Sequence, residues 1–145
     1  AISVGLSTFM NSQLVVKFGM RRIVHFAMLS FVLISLVFII LFSYGSNPSI
    51  EVLLGFFALQ FFTIGFLFGN LRALAMEPMG HIAGIGSALN GFISTVMAVP
   101  IANYIGKLVI DSVTPLFVGF LICGLVSLAL FYSNSAKFSR VFKNA

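Results

Sequence analysis

Five apolar stretches, each about as long as a bilayer is thick, run through this chain. No Asp, Glu, Lys or Arg falls near the middle of any of them. A bilayer core of ~30 Å takes about 20 apolar residues in an α-helix. The stretches are approximately 1–18, 23–43, 52–71, 82–104 and 113–132, with a tail at 133–145. None alternates with period two, so helices are predicted rather than barrel strands. Of 145 residues, only 8% are charged and 60% are hydrophobic, with a mean hydropathy of +1.16. A soluble domain carries about 25% charged residues. Too little polar surface remains to cover a water-soluble globule. The predicted fold class is therefore all-α integral membrane, with five transmembrane helices in one domain. The 18 Phe suit a lipid-facing surface. Without Trp, an aromatic belt would rest on Tyr44, Tyr104 and Tyr132, all near helix ends.

The basic residues predict an orientation. Lys17, Arg21 and Arg22 follow the first stretch, Arg72 follows the third, and Lys137, Arg140 and Lys143 lie in the tail. Those seven fall on one side of the membrane and only Lys107 on the other. Positive residues collect on the cytoplasmic side, so the C-terminus is predicted to be cytoplasmic and residue 1 external. An odd number of crossings, starting abruptly at Ala1 with no signal peptide, suggests that upstream helices are missing. The net charge of +5 is then a topology signal, and no nucleic-acid partner is expected. Cys123 is the one cysteine, which excludes an intrachain disulfide or a cysteine metal cluster. It reads as a small residue in a packed helix.

The stretches differ in kind. The second has no Gly, Asn or Gln and is interrupted only by Ser30 and Ser35, so it reads as a lipid-exposed outer helix. The fifth is similar, apart from Gly119, Cys123 and Ser127 at four-residue spacing. The first carries Ser7, Thr8, Asn11, Ser12 and Gln13. The third places Gln60, Thr63 and Asn70 on one face, and Gly55, Ala58, Gly65 and Gly69 on another. In the fourth, Gly84, Ser87, Ala88, Gly91, Ser94, Thr95 and Ala98 share an arc of roughly 120°, opposite Ile85, Leu89, Phe92, Ile93, Val96 and Val99.

Polar side chains in hydrocarbon are costly without partners or water. The first, third and fourth stretches are therefore expected to share an interior. Thr8, Asn11, Gln60, Thr63, Asn70, Ser87, Asn90 and Ser94 are the candidates to line a substrate cavity there, Ser87 near its cytoplasmic mouth. Most of them cluster near mid-membrane, where transporters place their substrate sites. Singly, each also fits an ordinary hydrogen bond between helices. Gly65, Gly69, Gly84 and Gly91 are expected to let helices approach closely.

Catalytic chemistry is not in view. Glu51, Glu77 and Asp111 all fall in loops, and no paired carboxylates, metal-ligand spacing or Ser/His/Asp arrangement is present. Neither an enzyme, a metal site nor a cofactor is expected. His25 and His81 begin helices and read as interfacial. Arg72 and Glu77 are placed to pair across the loop between the third and fourth stretches.

Two segments resemble the major facilitator superfamily. In SQLVVKFGMRR, Ser12–Arg22, the residues Lys17, Gly19, Arg21 and Arg22 fit that family's cytoplasmic loop motif. Ser12 stands where the motif has Gly and Val16 where it has Asp, which suits the weaker copy between helices 8 and 9. GNLRALAMEPMGHIAGIGSALNG, Gly69–Gly91, is similar to the helix 10–11 junction of bacterial drug-efflux members of the Bcr/CflA type. Asn70, Ala73, Ala75, Pro78, Ala83, Gly84, Ser87, Ala88 and Gly91 correspond.

The resemblance implies that the stretches are helices 8 to 12 of the C-terminal six-helix bundle. It places helices 8, 10 and 11 at the central cavity and helices 9 and 12 outside as supports. It further implies a multi-pass protein of the bacterial inner membrane that exports small drug-like molecules, with the proton gradient as energy source. The implied partners are membrane lipid, a small-molecule substrate and the missing N-terminal half. An importer or metabolite exporter of the same superfamily is an alternative. A non-transporting membrane subunit or scaffold is another.

Overall fold

The computed structural model of the chain describes residues 2–42, 48–110 and 112–143, with side chains up to residue 133. Tyr44 and Asp111, singled out above, lie outside the described residues, as do the side chains of Lys137, Arg140 and Lys143. Every regular element is helical: α1 (Ile2–Phe18), α2 (Met20–Phe42), α3 (Ile50–Met76), a 3-10 segment (Glu77–Ile82), α4 (Ala83–Leu108) and α5 (Thr114–Lys143).

The expectation of five separate helices is corrected. From Ile50 to Leu108, α3, the 3-10 segment and α4 follow one another over 59 residues with a kink but no intervening loop, so the described residues form four runs. The reason lies at Pro78. It stands in the first turn of the 3-10 segment, where its missing N–H would have had no partner. There proline starts a helical turn rather than ending one. The direction changes at Met79, whose φ of −109° and ψ of 20° leave the helical region. Three runs are long and apolar enough to cross a membrane: Met20–Phe42, the Ile50–Leu108 run and Thr114–Ser133. With 17 residues, α1 is ~26 Å long, slightly less than the ~30 Å core.

Two ends also differ from expectation. α3 extends beyond residue 71 to Met76, and α5 continues past Tyr132 to Lys143. The sequence Ser133–Lys143 contains no Gly or Pro, so nothing in it stops the helix, and most of the expected tail is helical.

Between α1 and α2 the chain reverses through Gly19 alone. Its φ of +79° belongs to the left-handed region that glycine enters without penalty. The Gly19 N–H donates to the Val15 carbonyl at 2.9 Å, closing the end of α1. At the other end of the bundle, the Ser112 hydroxyl accepts the Thr114 N–H at 3.2 Å and so caps α5.

α2 is the centre of the bundle. It packs extensively against α3 and α5, while α1 packs mainly on α3. Val24, Ala27, Met28, Ser35 and Phe38 of α2 are buried. Phe38 stacks on Phe117 of α5 with ring centroids 3.6 Å apart, and Phe56 of α3 meets Phe38 edge-on at 5.1 Å. Gly124 of α5 lies against Phe31 and Val32 of α2. One side of this segment is thus buried in the bundle, while Phe26, Leu33, Ile40 and Leu41 keep the other side exposed, as expected of an outer helix. Large apolar side chains suit either role, because lipid tails are as apolar as a packed interior.

Successive passes alternate in direction. The α1–α2 turn shares a depression with Leu74 and Glu77, at the far end of α3. Tyr132 of α5 returns to that same end, with its hydroxyl 3.0 Å from Nδ1 of His25. Ile105 of α4 meets Gly119 of α5 at the opposite end. Lys17, Arg21, Arg22 and Arg72 thus collect at one end of the bundle and Lys107 at the other.

Candidate functional site

The buried polar side chains lie along α3 and the two helices packed on it. Gln60 is 1% exposed, Asn70 3% and Thr63 6%. Asn70 faces α1, where its amide and that of Asn11 bond in both directions. Asn70 Nδ2 donates to Asn11 Oδ1 at 2.7 Å, and Asn11 Nδ2 donates to Asn70 Oδ1 at 3.3 Å. A second donation from Asn70 Nδ2 goes to the Phe66 carbonyl at 2.9 Å. These two amides answer each other and bind α1 to α3.

Gln60 faces α2. Its Nε2 donates to Ser35 Oγ at 2.9 Å, and Ser35 Oγ donates in turn to the Phe31 carbonyl at 2.9 Å. The Gln60 Oε1 is buried with no hydrogen-bond partner. Such a group costs about 1–3 kcal/mol to keep away from water. Thr63 Oγ1 donates to the Gln60 backbone carbonyl at 2.7 Å. Its hydrogen is therefore engaged within its own helix.

The remaining candidates stand apart. Thr8 is exposed and donates to its own helix at the Val4 carbonyl, 2.8 Å away. On α4, Ser87 Oγ donates to the Gly84 carbonyl at 3.1 Å, and Ser94 Oγ donates to Asn90 Oδ1 at 3.3 Å. Among the described residues α4 makes no contact with α1 and little with α3. Its one buried residue is Gly86, against Met76 and Met79. The structure thus brings Asn11, Gln60, Thr63 and Asn70 into one three-helix unit and leaves Ser87, Asn90 and Ser94 on an open face.

The glycines divide in the same way. A side chain on Gly65 would collide with Ser7 of α1, so this glycine sets the α1–α3 separation. At Gly69, Gly84 and Gly91 a Cβ would meet nothing within 4 Å. Ser35 and Ser7, both fully buried, were not among the candidates. Being one of two hydroxyls, with Ser30, that interrupt an otherwise apolar stretch was the available signal for Ser35.

A groove of about 840 Å³ opens between α1, α2 and α3. Its walls are apolar, from Leu14 and Phe18 of α1, Phe26 and Leu33 of α2, and Phe62 and Phe66 of α3. Thr63 is the one cavity candidate that lines it. Arg22 stands at its basic end and also lines the neighbouring depression, which Arg21 and Glu77 share. Arg72, the expected partner of Glu77, does not line that depression. Of the loop residues, Gly19 forms the turn and Lys17 is exposed beside it. His81 lies exposed in the 3-10 segment. No group of three or more His, Cys, Asp or Glu side chains able to hold a metal ion occurs among the described residues. No protein-family model, curated protein or solved structure matches the chain.

Proposed function

We propose that this chain is part of a secondary transporter of the major facilitator type, contributing five crossings of its C-terminal bundle. In this reading it serves export of small drug-like molecules against proton entry across a bacterial inner membrane, with the basic end of the bundle cytoplasmic. The long third run supplies two of the crossings, reversing at Met79. The observation that carries the reading is the open face of α4. Ser87, Asn90, Gly91, Ser94 and Thr95 lie on a helix otherwise suited to hydrocarbon, and among the described residues no helix covers them or the apolar side opposite. Ser87, Ser94 and Thr95 donate within α4, so the Asn90 amide N–H groups are what that face leaves unanswered, and for them lipid is a poor cover. A water-filled cavity facing a companion bundle answers them. The resemblances at Ser12–Arg22 and Gly69–Gly91 support the same reading.

Each polar residue then supplies hydrogen bonds and shape rather than covalent chemistry. Asn90 and Ser94 are the substrate-facing pair, and Ser87 sits nearer the basic mouth. Gln60 Oε1 is a buried acceptor that a donor from substrate, water or the companion bundle would satisfy. Proton coupling needs an embedded acid, which the companion bundle would bring. The test expresses the complete gene in an efflux-deficient host. Lowered drug susceptibility, reversed by Asn90→Leu or by collapse of the proton gradient, is expected. Unchanged susceptibility with no proton-linked substrate movement would defeat the export reading.

A second reading, a non-transporting membrane subunit, draws on Asn11 and Asn70. Their amides satisfy each other and act as a structural clasp. Folded protein in the host membrane that moves no substrate under a proton gradient would favour it.

A further inference from the structure

The groove between α1, α2 and α3 has the dimensions and chemistry of a lipid site. Along α2 it is walled from Arg22 to Ile34. Twelve helical steps at about 1.5 Å each give ~18 Å. That is close to one leaflet of a bilayer whose core is ~30 Å thick. The groove therefore starts at the basic end of the bundle and stops near mid-membrane. Its walls are Phe, Leu and Ile side chains, and its Thr63 hydroxyl already donates within its own helix. A hydrogen-bonding molecule would gain little there. A hydrocarbon chain would lose nothing.

Charge selects the headgroup. Arg22 stands at the groove's basic end, with Arg21 beside it and Lys17 one turn back on α1. Glu77 is the one carboxylate in the adjoining depression, so the local balance stays positive. The Arg22 guanidinium offers forked donors that match a phosphodiester.

We propose that this groove binds one anionic phospholipid of the leaflet at the basic end. An acyl chain lies between Phe26, Leu33, Phe62 and Phe66, and the phosphate lies at Arg22. The site rests on the membrane reading of the chain but not on the transport reading. It would hold α1 against α2, which it otherwise touches only lightly.

The test uses the full chain reconstituted with spin-labelled phosphatidylglycerol or phosphatidylcholine, and reads the motionally restricted lipid fraction. The expected result is a preference for phosphatidylglycerol of about fivefold. Arg22→Gln should abolish that preference. Ser30→Phe, which fills the groove from an exposed position, should lower restriction of both lipids. Circular dichroism checks that both variants fold. Inorganic phosphate should not compete, because the chain supplies most of the contact. Equal restriction of the two lipids, a preference that survives Arg22→Gln, or restriction unaffected by Ser30→Phe would each overturn the site. Displacement of bound lipid by phosphate alone would overturn it too. No restricted lipid of either kind would defeat the membrane reading along with it.

Discussion

Gly65→Ala should separate α1 from α3, and its cost can be worked from the contact itself. A Cβ at Gly65 would overlap Ser7 Oγ, lie 3.0 Å from Ser7 Cβ and lie 3.2 Å from the Val4 carbonyl oxygen. Turning the Ser7 side chain does not relieve this. Its Oγ would leave the Val4 carbonyl, to which it donates at 2.9 Å, while its Cβ and the backbone oxygen would stay in place. α1 must therefore retreat by a few tenths of an ångström along a helix pinned one turn away by Asn11 and Asn70. Overpacking of this kind costs about 1–3 kcal/mol. The Gly-to-Ala gain in helix propensity opposes it by at most ~1 kcal/mol. Gly69→Ala isolates that opposing gain, since its Cβ meets nothing within 4 Å on the same helix. The two variants should thus differ by about 1–3 kcal/mol, with Gly65→Ala the less stable. Reversible unfolding of the full chain in mixed detergent micelles, followed by far-ultraviolet circular dichroism, reads the difference. In a Ser7→Gly background, Gly65→Ala should lose at least half of its penalty, because only the Val4 carbonyl remains close. Equal stability of Gly65→Ala and Gly69→Ala, or an unchanged penalty beside Ser7→Gly, would refute the proposed contact.

Three further outcomes follow from the same geometry. Asn11→Leu and Asn70→Leu should each destabilise by about 0.6–1.7 kcal/mol, and the double variant by clearly less than the sum; additive losses in the same unfolding assay would show that the amides are not paired. Ser35→Ala strands a second atom of the Gln60 amide, so it should cost about 1–3 kcal/mol, and Gln60→Leu added to it should recover part of that; a double variant less stable than Ser35→Ala would count against the orphaned acceptor. Gly19→Ala forces a side chain into φ +79° and should cost about 1–2 kcal/mol, with no loss expected if the turn relaxes freely.

The helices were legible because 20-residue apolar runs have few alternatives in lipid. Gly19 was legible as a turn residue, since it stands between helical stretches in KFGMRR. The connection expected between the third and fourth stretches is a kink at Met79 rather than a loop, because proline in a first turn is compatible with helix. Polar residues announced themselves singly, but their partners did not. Gln60 is expected to face an interior shared by the first, third and fourth stretches, whereas its amide meets Ser35 on α2. Hydropathy could not have revealed this, as Phe38 and Val24 would look the same facing lipid or buried at 0% exposure. Glycine identity likewise says that approach is allowed, not that a helix is there. Gly65 touches Ser7, while Gly84 and Gly91 on α4 face open space.

The central claim is that the small, polar side of α4 faces water in a transporter cavity while its opposite side faces lipid. Single cysteines in a Cys123→Ser background test it in cells expressing the complete gene, using a charged, membrane-impermeant methanethiosulfonate. Cys123 must be removed because it is itself exposed. Gly91→Cys and Ser94→Cys should be labelled, while Phe92→Cys and Val96→Cys, 67% and 54% exposed at the native residues, should be protected by lipid. Labelling of both sides, or of neither, would contradict the account.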